Sequence, residues 1–457
     1  MNLLVKDKCF YKKMAVIAIP ISLQSMITIG VNMTDTVMVG KLGETSLSAT
    51  ALANQFVNIY QICCMGIAMG ASVLTSRFWG MQDITSLKKT ITLMLRLCIV
   101  LAVLFMLPTI LIPQLLMRMY TNDSAVIAQG VQYFKWMVYC YFLQGMTMTC
   151  TIVLRSVGQV NFPLFTSIGS FFVNILFNYM FIFGKLGVPR MEVEGAGVGT
   201  LIARVFEFSL ICGYFLFEDR KIGYRLKDLR MKCNSLIKDY VSISIPVFVS
   251  DSLLALGTSA VAMVMGRIGT GFVSANSITV VTQQLTTVII QGICHASCIM
   301  TGHTLGHGER EKAQQQAWTF LILGLVVGIL GGGLIKVLSR PIIGLYNITP
   351  ETAQIAGELM DAIAFIVIFQ SMNSILTKGV LRGGGDTKFL MVADIIFLWA
   401  ASLPLGILAG LVWHLDAFWI YVFLKIDQIC KSIWCVFRLR SGKWIKTFSK
   451  EKMNHAQ

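Results

Sequence analysis

The chain has 457 residues, of which 55% are hydrophobic and 13% charged, about half the charged share of an ordinary soluble domain. Its mean hydropathy is +0.71. That excludes a disordered chain, a coiled coil, a disulfide scaffold and a cytosolic enzyme, and leaves a polytopic membrane protein. The formal net charge of +15 comes from cations flanking apolar runs, so it speaks of membrane topology rather than nucleic acid. Most of the 12 cysteines, such as Cys63, Cys64, Cys140, Cys150 and Cys430, lie inside those runs and read as small apolar helix residues.

A membrane-crossing helix needs roughly 20 apolar residues. Twelve such spans are expected. The first six run near 14–40, 46–76, 90–116, 126–154, 162–184 and 195–217. The second six run near 240–266, 273–302, 317–338, 353–380, 389–412 and 416–437. Lys6, Lys8, Lys12 and Lys13 precede the first run with no small-residue cleavage site, so it reads as a span and not as a signal peptide. The expected organisation is a first lobe over 1–217, a cytoplasmic linker over 218–239, a second lobe over 240–437 and a basic cytoplasmic tail over 438–457. With both termini inside, 26 of the 38 Lys and Arg fall on the cytoplasmic side and 7 outside. This asymmetry orients the chain.

The halves repeat. Pro20, Gly40, Gly43, Ser48 and Ala49 recur as Pro246, Gly266, Gly269, Ser274 and Ala275 at an offset of 226. Leu154-Arg155 with Gly158 and Phe162 recurs as Leu381-Arg382 with Gly385 and Phe389. An even number of spans per half gives the repeats one orientation, related by an axis along the membrane normal, as in many secondary transporters. Pro20 and Pro246 sit at matching depths, and each removes a helix hydrogen bond; static bends and moving hinges are both open readings.

Intramembrane polar residues are costly and start as functional candidates. From the helix rise, Asp35 lies about 7 Å below the outer end of span one, Asn178 and Asn174 about 9 and 15 Å below that of span five, and Thr200 about 7 Å below that of span six. Asn174 and Asn178 share a helix face. Such oxygens suit a hard cation. Alternatively, Asp35 alone carries a proton, or the group is a hydrogen-bonded joint between helices. In the second half Asp251, Gln283 and Gln284 reach mid-membrane and are candidates for lining a substrate cavity, with interhelical bonding as the alternative. Arg204 and Glu207 are expected to pair with each other, as are Asp427 and Lys431. Asp361, Asp394 and Lys425 fall near span ends. Cys294, His295 and Cys298 do not share a helix face and have no fourth partner, so no metal site is expected. Gly383-Gly384-Gly385-Asp386 reads as a turn and Gly331-Gly332-Gly333 as a place of close helix approach. The 25 Met suit surfaces that repack around different ligands.

Several strings resemble the multidrug and toxic compound extrusion (MATE) family of efflux transporters. They are Thr34-Asp35-Thr36-Val37-Met38-Val39-Gly40 with Leu42-Gly43, the loops at Leu154-Arg155 and Leu381-Arg382-Gly383, Gly195-Ala196-Gly197-Val198-Gly199-Thr200, and Arg440-Ser441-Gly442-Lys443-Trp444. The resemblance implies an all-α membrane protein with two six-helix lobes in a V. It also implies export of organic cations or amphipathic drugs, acting as a monomer in exchange for H⁺ or Na⁺ across a bacterial cytoplasmic membrane by alternating access. No other cofactor, resident metal or nucleic-acid partner is expected. The resemblance carries cation coupling onto Asp35, Asn174, Asn178 and Thr200. Many relatives have an acid where Asn178 stands, and Ser371 stands near the place of a span-ten acid in some. The alternatives are a lipid-linked oligosaccharide flippase of the wider superfamily, which would want an Arg-rich cleft, and a membrane enzyme, which would want clustered His and carboxylates.

Overall fold

The computed structural model describes residues 4–344 and 348–447; the end of the expected tail, with Lys450 and Lys452, lies outside the described residues. Among the described residues the regular structure is all helical. In chain order the helices are α1 (Lys8–Gly40), α2 (Glu44–Gly80), α3 (Ile84–Leu111), α4 (Pro113–Arg118), α5 (Ser124–Ser156), α6 (Asn161–Phe183) and α7 (Glu192–Gly213). They continue with α8 (Asn234–Ile268), α9 (Thr270–Gly306), α10 (Arg310–Ile343), α11 (Pro350–Ser374), α12 (Thr387–Asp394), α13 (Leu403–Ile407), α14 (Ala417–Leu424) and α15 (Ile426–Arg440). π-helical turns extend α7 through Glu218, extend α11 through Leu381, and join and prolong α12 and α13 through Val412.

Eleven of these continuous helices are long and apolar enough to cross a membrane among the described residues. The twelfth expected span is broken. Its two parts, α14 and α15, meet at Lys425, whose backbone (φ −121°, ψ 16°) leaves the helical region. The second part carries Asp427, Lys431, Arg438 and Arg440 on one short helix, which keeps it below the apolarity of a span. Exposed apolar stripes such as Val100, Leu104, Leu107 and Leu111 on α3 recur at helical spacing. That suits lipid as solvent and would be a liability in water.

The chain divides into two compact units. One, the N-unit, is Leu23–Thr75 with Asp83–Tyr240; the other, the C-unit, is Met1–Ser22, Ser76–Gln82 and Val241–Gln457. The core of the N-unit gathers Tyr60, Phe134 and Tyr141 with small residues of α2 and α5. Tyr60 donates its hydroxyl to the Tyr141 carbonyl. Gly145 permits that approach, since a Cβ there would lie 2.3 Å from the hydroxyl. In the C-unit α10 and α11 pack closely because Gly328 and Gly332 present no side chain: added Cβ atoms would sit 2.7 Å from the Ile368 backbone and 2.5 Å from the Ala364 carbonyl. Of the expected glycine triplet, Gly332 makes this approach, while Gly333 has open space.

The polar linker is built onto the N-unit. Tyr224 is fully buried, stacks on Phe215 and meets the Thr92 hydroxyl at 2.9 Å. Lys88 donates to the Gly223 carbonyl at 2.6 Å and to Asp228 at 2.9 Å. In the C-unit the described part of the tail is anchored too. Trp444 is fully buried, donates its indole N–H to Gln314 at 2.7 Å and lies where a Cβ on Gly384 would be, 2.3 Å away. Lys446 and Arg438 both pair with Asp386.

Candidate cation-coupling site

The site lies in the N-unit and is set by how α6 and α7 meet. Along Gly195-Ala196-Gly197-Val198-Gly199, alternate glycines face different neighbours. Gly195 and Gly199 lie against α6, where added Cβ atoms would fall 2.6 Å from the Phe181 carbonyl and 2.1 Å from Asn178 Oδ1. Gly197 faces α5 at Tyr133 and Trp136. The start of α7 is thus wedged between two helices at backbone contact, the use of small residues expected in a membrane.

This packing buries the two span-five amides. Asn174 is 2% and Asn178 1% exposed. Asn178 donates its Nδ2 to Asp35 Oδ1 at 2.6 Å and to Asn174 Oδ1 at 3.3 Å. Among the described residues its own Oδ1 has no hydrogen-bond partner and packs against Gly199. A buried amide oxygen without a donor is uncommon and calls for a ligand or a water. Beside Asp35 lies a cavity of about 360 Å³. Its wall includes Asp35, Asn174, Thr200, Arg204, Glu207 and Tyr133, with apolar Ile27, Val31 and Met137. Arg204 and Glu207 pair at 2.7 Å, as their spacing predicts. Tyr133 donates to Asn54 Oδ1 at 3.2 Å.

Of the residues singled out in the sequence, Asp35, Asn174 and Asn178 therefore form one hydrogen-bonded group, and Thr200 lines the same cavity. Asn54, Tyr133 and Glu207 were not chosen. Asn54 and Glu207 are polar and lie within spans, but depth alone does not say which face they present. Pro20 and Pro246 are both buried and lie inside α1 and α8, which run on unbroken.

The C-unit candidates do other things. Asp251 is held by Arg382, with contacts at 3.0 and 3.5 Å. Gln283 donates to Gln370 at 2.9 Å, joining α9 to α11, and Gln284 is exposed. The sequence reading placed Arg382 in a cytoplasmic loop and so missed its pairing with Asp251. The repeat held the signal. Arg155, the counterpart of Arg382, hydrogen-bonds Gln24, which stands 227 positions before Asp251. Gln24 in turn donates to Ser167 at 2.8 Å. Asp394, set aside as near a span end, is 6% exposed and pairs at 3.0 Å with Lys431, which also pairs at 3.0 Å with Asp427. Among the described residues no group of three His, Cys, Asp or Glu side chains is poised to hold a metal ion.

Long apolar helices duplicated in sequence, with Asp35 hydrogen-bonded to a buried amide at the edge of a polar cavity, fit the class of membrane transporters. Comparison with known proteins narrows the class. The MatE family profile matches residues 20–180 and 246–429, and the chain belongs to that family of efflux transporters, not to an enzyme class. It is 24% identical over 441 residues to the probable multidrug resistance protein NorM of Thermotoga maritima, covering 95% of this chain and 93% of that one. It is 25% identical over 418 residues to the uncharacterized transporter YisQ of Bacillus subtilis, covering 90% of each. Its fold matches the crystal structure of the MATE transporter VcmN of Vibrio cholerae with a TM-score of 0.86 at 16% identity, over 95% of this chain and 97% of that one.

Proposed function

We propose that this transporter is an antiporter that exports organic cations and amphipathic drugs across a bacterial cytoplasmic membrane, with both termini inside, in exchange for inward H⁺ or Na⁺. The observation that carries the reading is the hydrogen-bonded Asp35–Asn178–Asn174 group, of which Asp35 and Asn174 line a cavity of about 360 Å³. Carboxylate and amide oxygens together favour a hard cation, and a carboxylate alone can take a proton. The same wall offers Asp35 and Glu207 beside apolar Ile27, Val31 and Met137. That mixture suits an amphipathic cation, and the volume lies in the range of small-molecule pockets. A drug cation and the coupling ion would then compete for the charge of Asp35. Competition of this kind supplies the differential affinity that alternating access requires. Thr200, on the same cavity wall, joins Asp35, Asn174 and Asn178 in cation coupling, and the proline-containing stretch of α1 at Pro20 is the place where that helix changes course between states. The relatives named as multidrug resistance proteins support the substrate class.

The test is ethidium efflux from proteoliposomes with a proton or a sodium gradient imposed separately. Efflux should run with one of the two gradients and be lost in Asp35→Asn at equal protein content. Gradient-driven efflux at the wild-type rate in Asp35→Asn would remove Asp35 from the coupling role.

A further inference from the structure

The last helix of the C-unit turns its polar side inward. α15 buries Asp427, Lys431, Ser432, Cys435 and Leu439, so its outer face is set by Cys430, Ile433, Trp434 and Phe437, spaced i, i+3, i+4 and i+7 along one side of a helix. Ile433 is 53%, Trp434 39% and Phe437 68% exposed. With Phe389 of α12 these four side chains wall a groove of about 510 Å³. Trp434 is held in place there, edge-on to Phe397 with ring centroids 5.0 Å apart and tilted against Phe389 at 5.9 Å. A groove with fixed aromatic walls gives an acyl chain a defined seat, which a merely apolar surface does not.

One end of the groove is cationic. Arg438, Ser441 and Lys443 close it. Arg438 lies over the Phe389 ring at 4.8 Å and gives its Nε–H to Asp386 at 2.6 Å, and Lys446 reaches the same carboxylate at 3.2 Å. Asp386 is 3% exposed and already serves two cations, while Lys443 is exposed and has no carboxylate partner among the described residues. Three cations against one carboxylate leave this end with two positive charges in excess. Aromatic side chains followed by cations at the end of an apolar face mark the level of lipid headgroups. A phosphodiester would meet Arg438 and Lys443 there. The ammonium of a zwitterionic headgroup would meet the same cations, and no carboxylate is among the described residues that line the groove. Charge complementarity thus selects a headgroup whose net charge is negative.

We propose that this groove binds one anionic phospholipid, its acyl chains against Ile433, Trp434 and Phe437 and its phosphate between Arg438 and Lys443. The apolar walls make a lipid the occupant rather than free phosphate, which would gain nothing from them. In the orientation proposed above, the lipid belongs to the cytoplasmic leaflet. The site lies wholly in the C-unit, apart from the cavity at Asp35, and does not depend on which ion drives transport. Its occupant would span α12 and α15, the helices that Asp386 and Arg438 already tie together, and so would hold them in place.

The test is native mass spectrometry of the delipidated full-length protein, titrated with phosphatidylglycerol and with phosphatidylcholine of the same acyl chains. The first phosphatidylglycerol should bind several-fold more tightly than the first phosphatidylcholine. Lys443→Gln should weaken phosphatidylglycerol binding about fivefold, the worth of one cation at a membrane surface, and leave phosphatidylcholine binding as it is. Lys443→Arg should restore the preference, and Phe437→Ser should weaken both lipids. Lys238→Gln removes an exposed cation of the N-unit and should bind as wild type. Equal affinities for the two lipids in the wild type would overturn the proposal, as would wild-type phosphatidylglycerol binding in Lys443→Gln or an equal loss in Lys238→Gln. Displacement of the lipid by inorganic phosphate would overturn it too, since the cations would then serve the free ion.

Discussion

Gly199→Ala tests whether backbone contact between α6 and α7 sets the coupling site. An added Cβ would lie 2.1 Å from Asn178 Oδ1 and 2.8 Å from the Asn178 backbone N. The amide oxygen could swing away, but the backbone nitrogen cannot, and ordinary contact begins at about 3.4 Å. The helices must therefore part by roughly 0.6 Å, an overpacking cost of about 1–3 kcal/mol. Swinging the Asn178 oxygen off the new methyl also turns its Nδ2 away from Asp35 Oδ1, to which it now donates at 2.6 Å, and so weakens that hydrogen bond. The expected outcome is a lowered melting temperature in detergent and a loss of gradient-driven ethidium efflux greater than the loss of folded protein. Gly213→Ala is the control, because nothing lies within 4 Å of a Cβ there; it should melt and transport as wild type. A Gly199→Ala protein with unchanged melting and unchanged efflux would refute the claim that this contact positions Asn178.

Arg382→Met should destabilise the protein by about 3–5 kcal/mol, because it strands Asp251 in the bundle, and Asp251→Leu with Arg382→Met should recover most of that loss; a double variant no more stable than the single would count against the pairing. Trp444→Ala should cost about 3–5 kcal/mol by emptying a fully buried site, and tryptic release of the tail should quicken; unchanged melting and cleavage would show that the anchor is idle. Burial alone would raise the Asp228 carboxyl, but the Lys88 ammonium, the Arg225 backbone N–H and the charges of Lys88 and Arg225 hold it below its ordinary value. A depressed folded-state pKa gives stability that is complete above the unfolded value and is lost as pH falls through the folded one. The linker should thus resist proteolysis down to about pH 4 and loosen only below it. Asp228→Asn should be cleaved faster at neutral pH, and equal rates would discard the Lys88–Asp228 tether.

The helices were legible because a span needs only length and apolarity, and those are written residue by residue. Their ends were not. Placing the end of span ten before Arg382 hid its pairing with Asp251, and placing Asp394 near a span edge hid its burial. The break in the twelfth span was hidden for a related reason: Asp427 and Lys431 sit among apolar residues, and that Lys431 pairs with both Asp427 and Asp394 is a tertiary fact. The candidate coupling group was legible in part because Asn174 and Asn178 are spaced by one turn and lie in the same outer half of the membrane as Asp35. That α6 and α7 touch at Gly199, bringing the amide onto the carboxylate, is a tertiary fact.

The repeated arginines show how one scaffold can serve two chemistries. In the N-unit Arg155 is matched by a neutral amide, Gln24, so the arginine draws on no carboxylate and Asp35 is left to the cavity. In the C-unit the corresponding partner is Asp251, and the arginine consumes that charge. A buried carboxylate engaged by guanidinium at 3.0 Å is poorly placed to exchange a cation, because each exchange would expose an unpaired charge on Arg382. The argument predicts an asymmetry: Gln24→Asp should weaken coupling by giving Arg155 a carboxylate and disturbing Ser167, whereas Asp251→Gln should lower stability while leaving the pH dependence of efflux in place. A pH profile that moved with Asp251→Gln would count against this asymmetry.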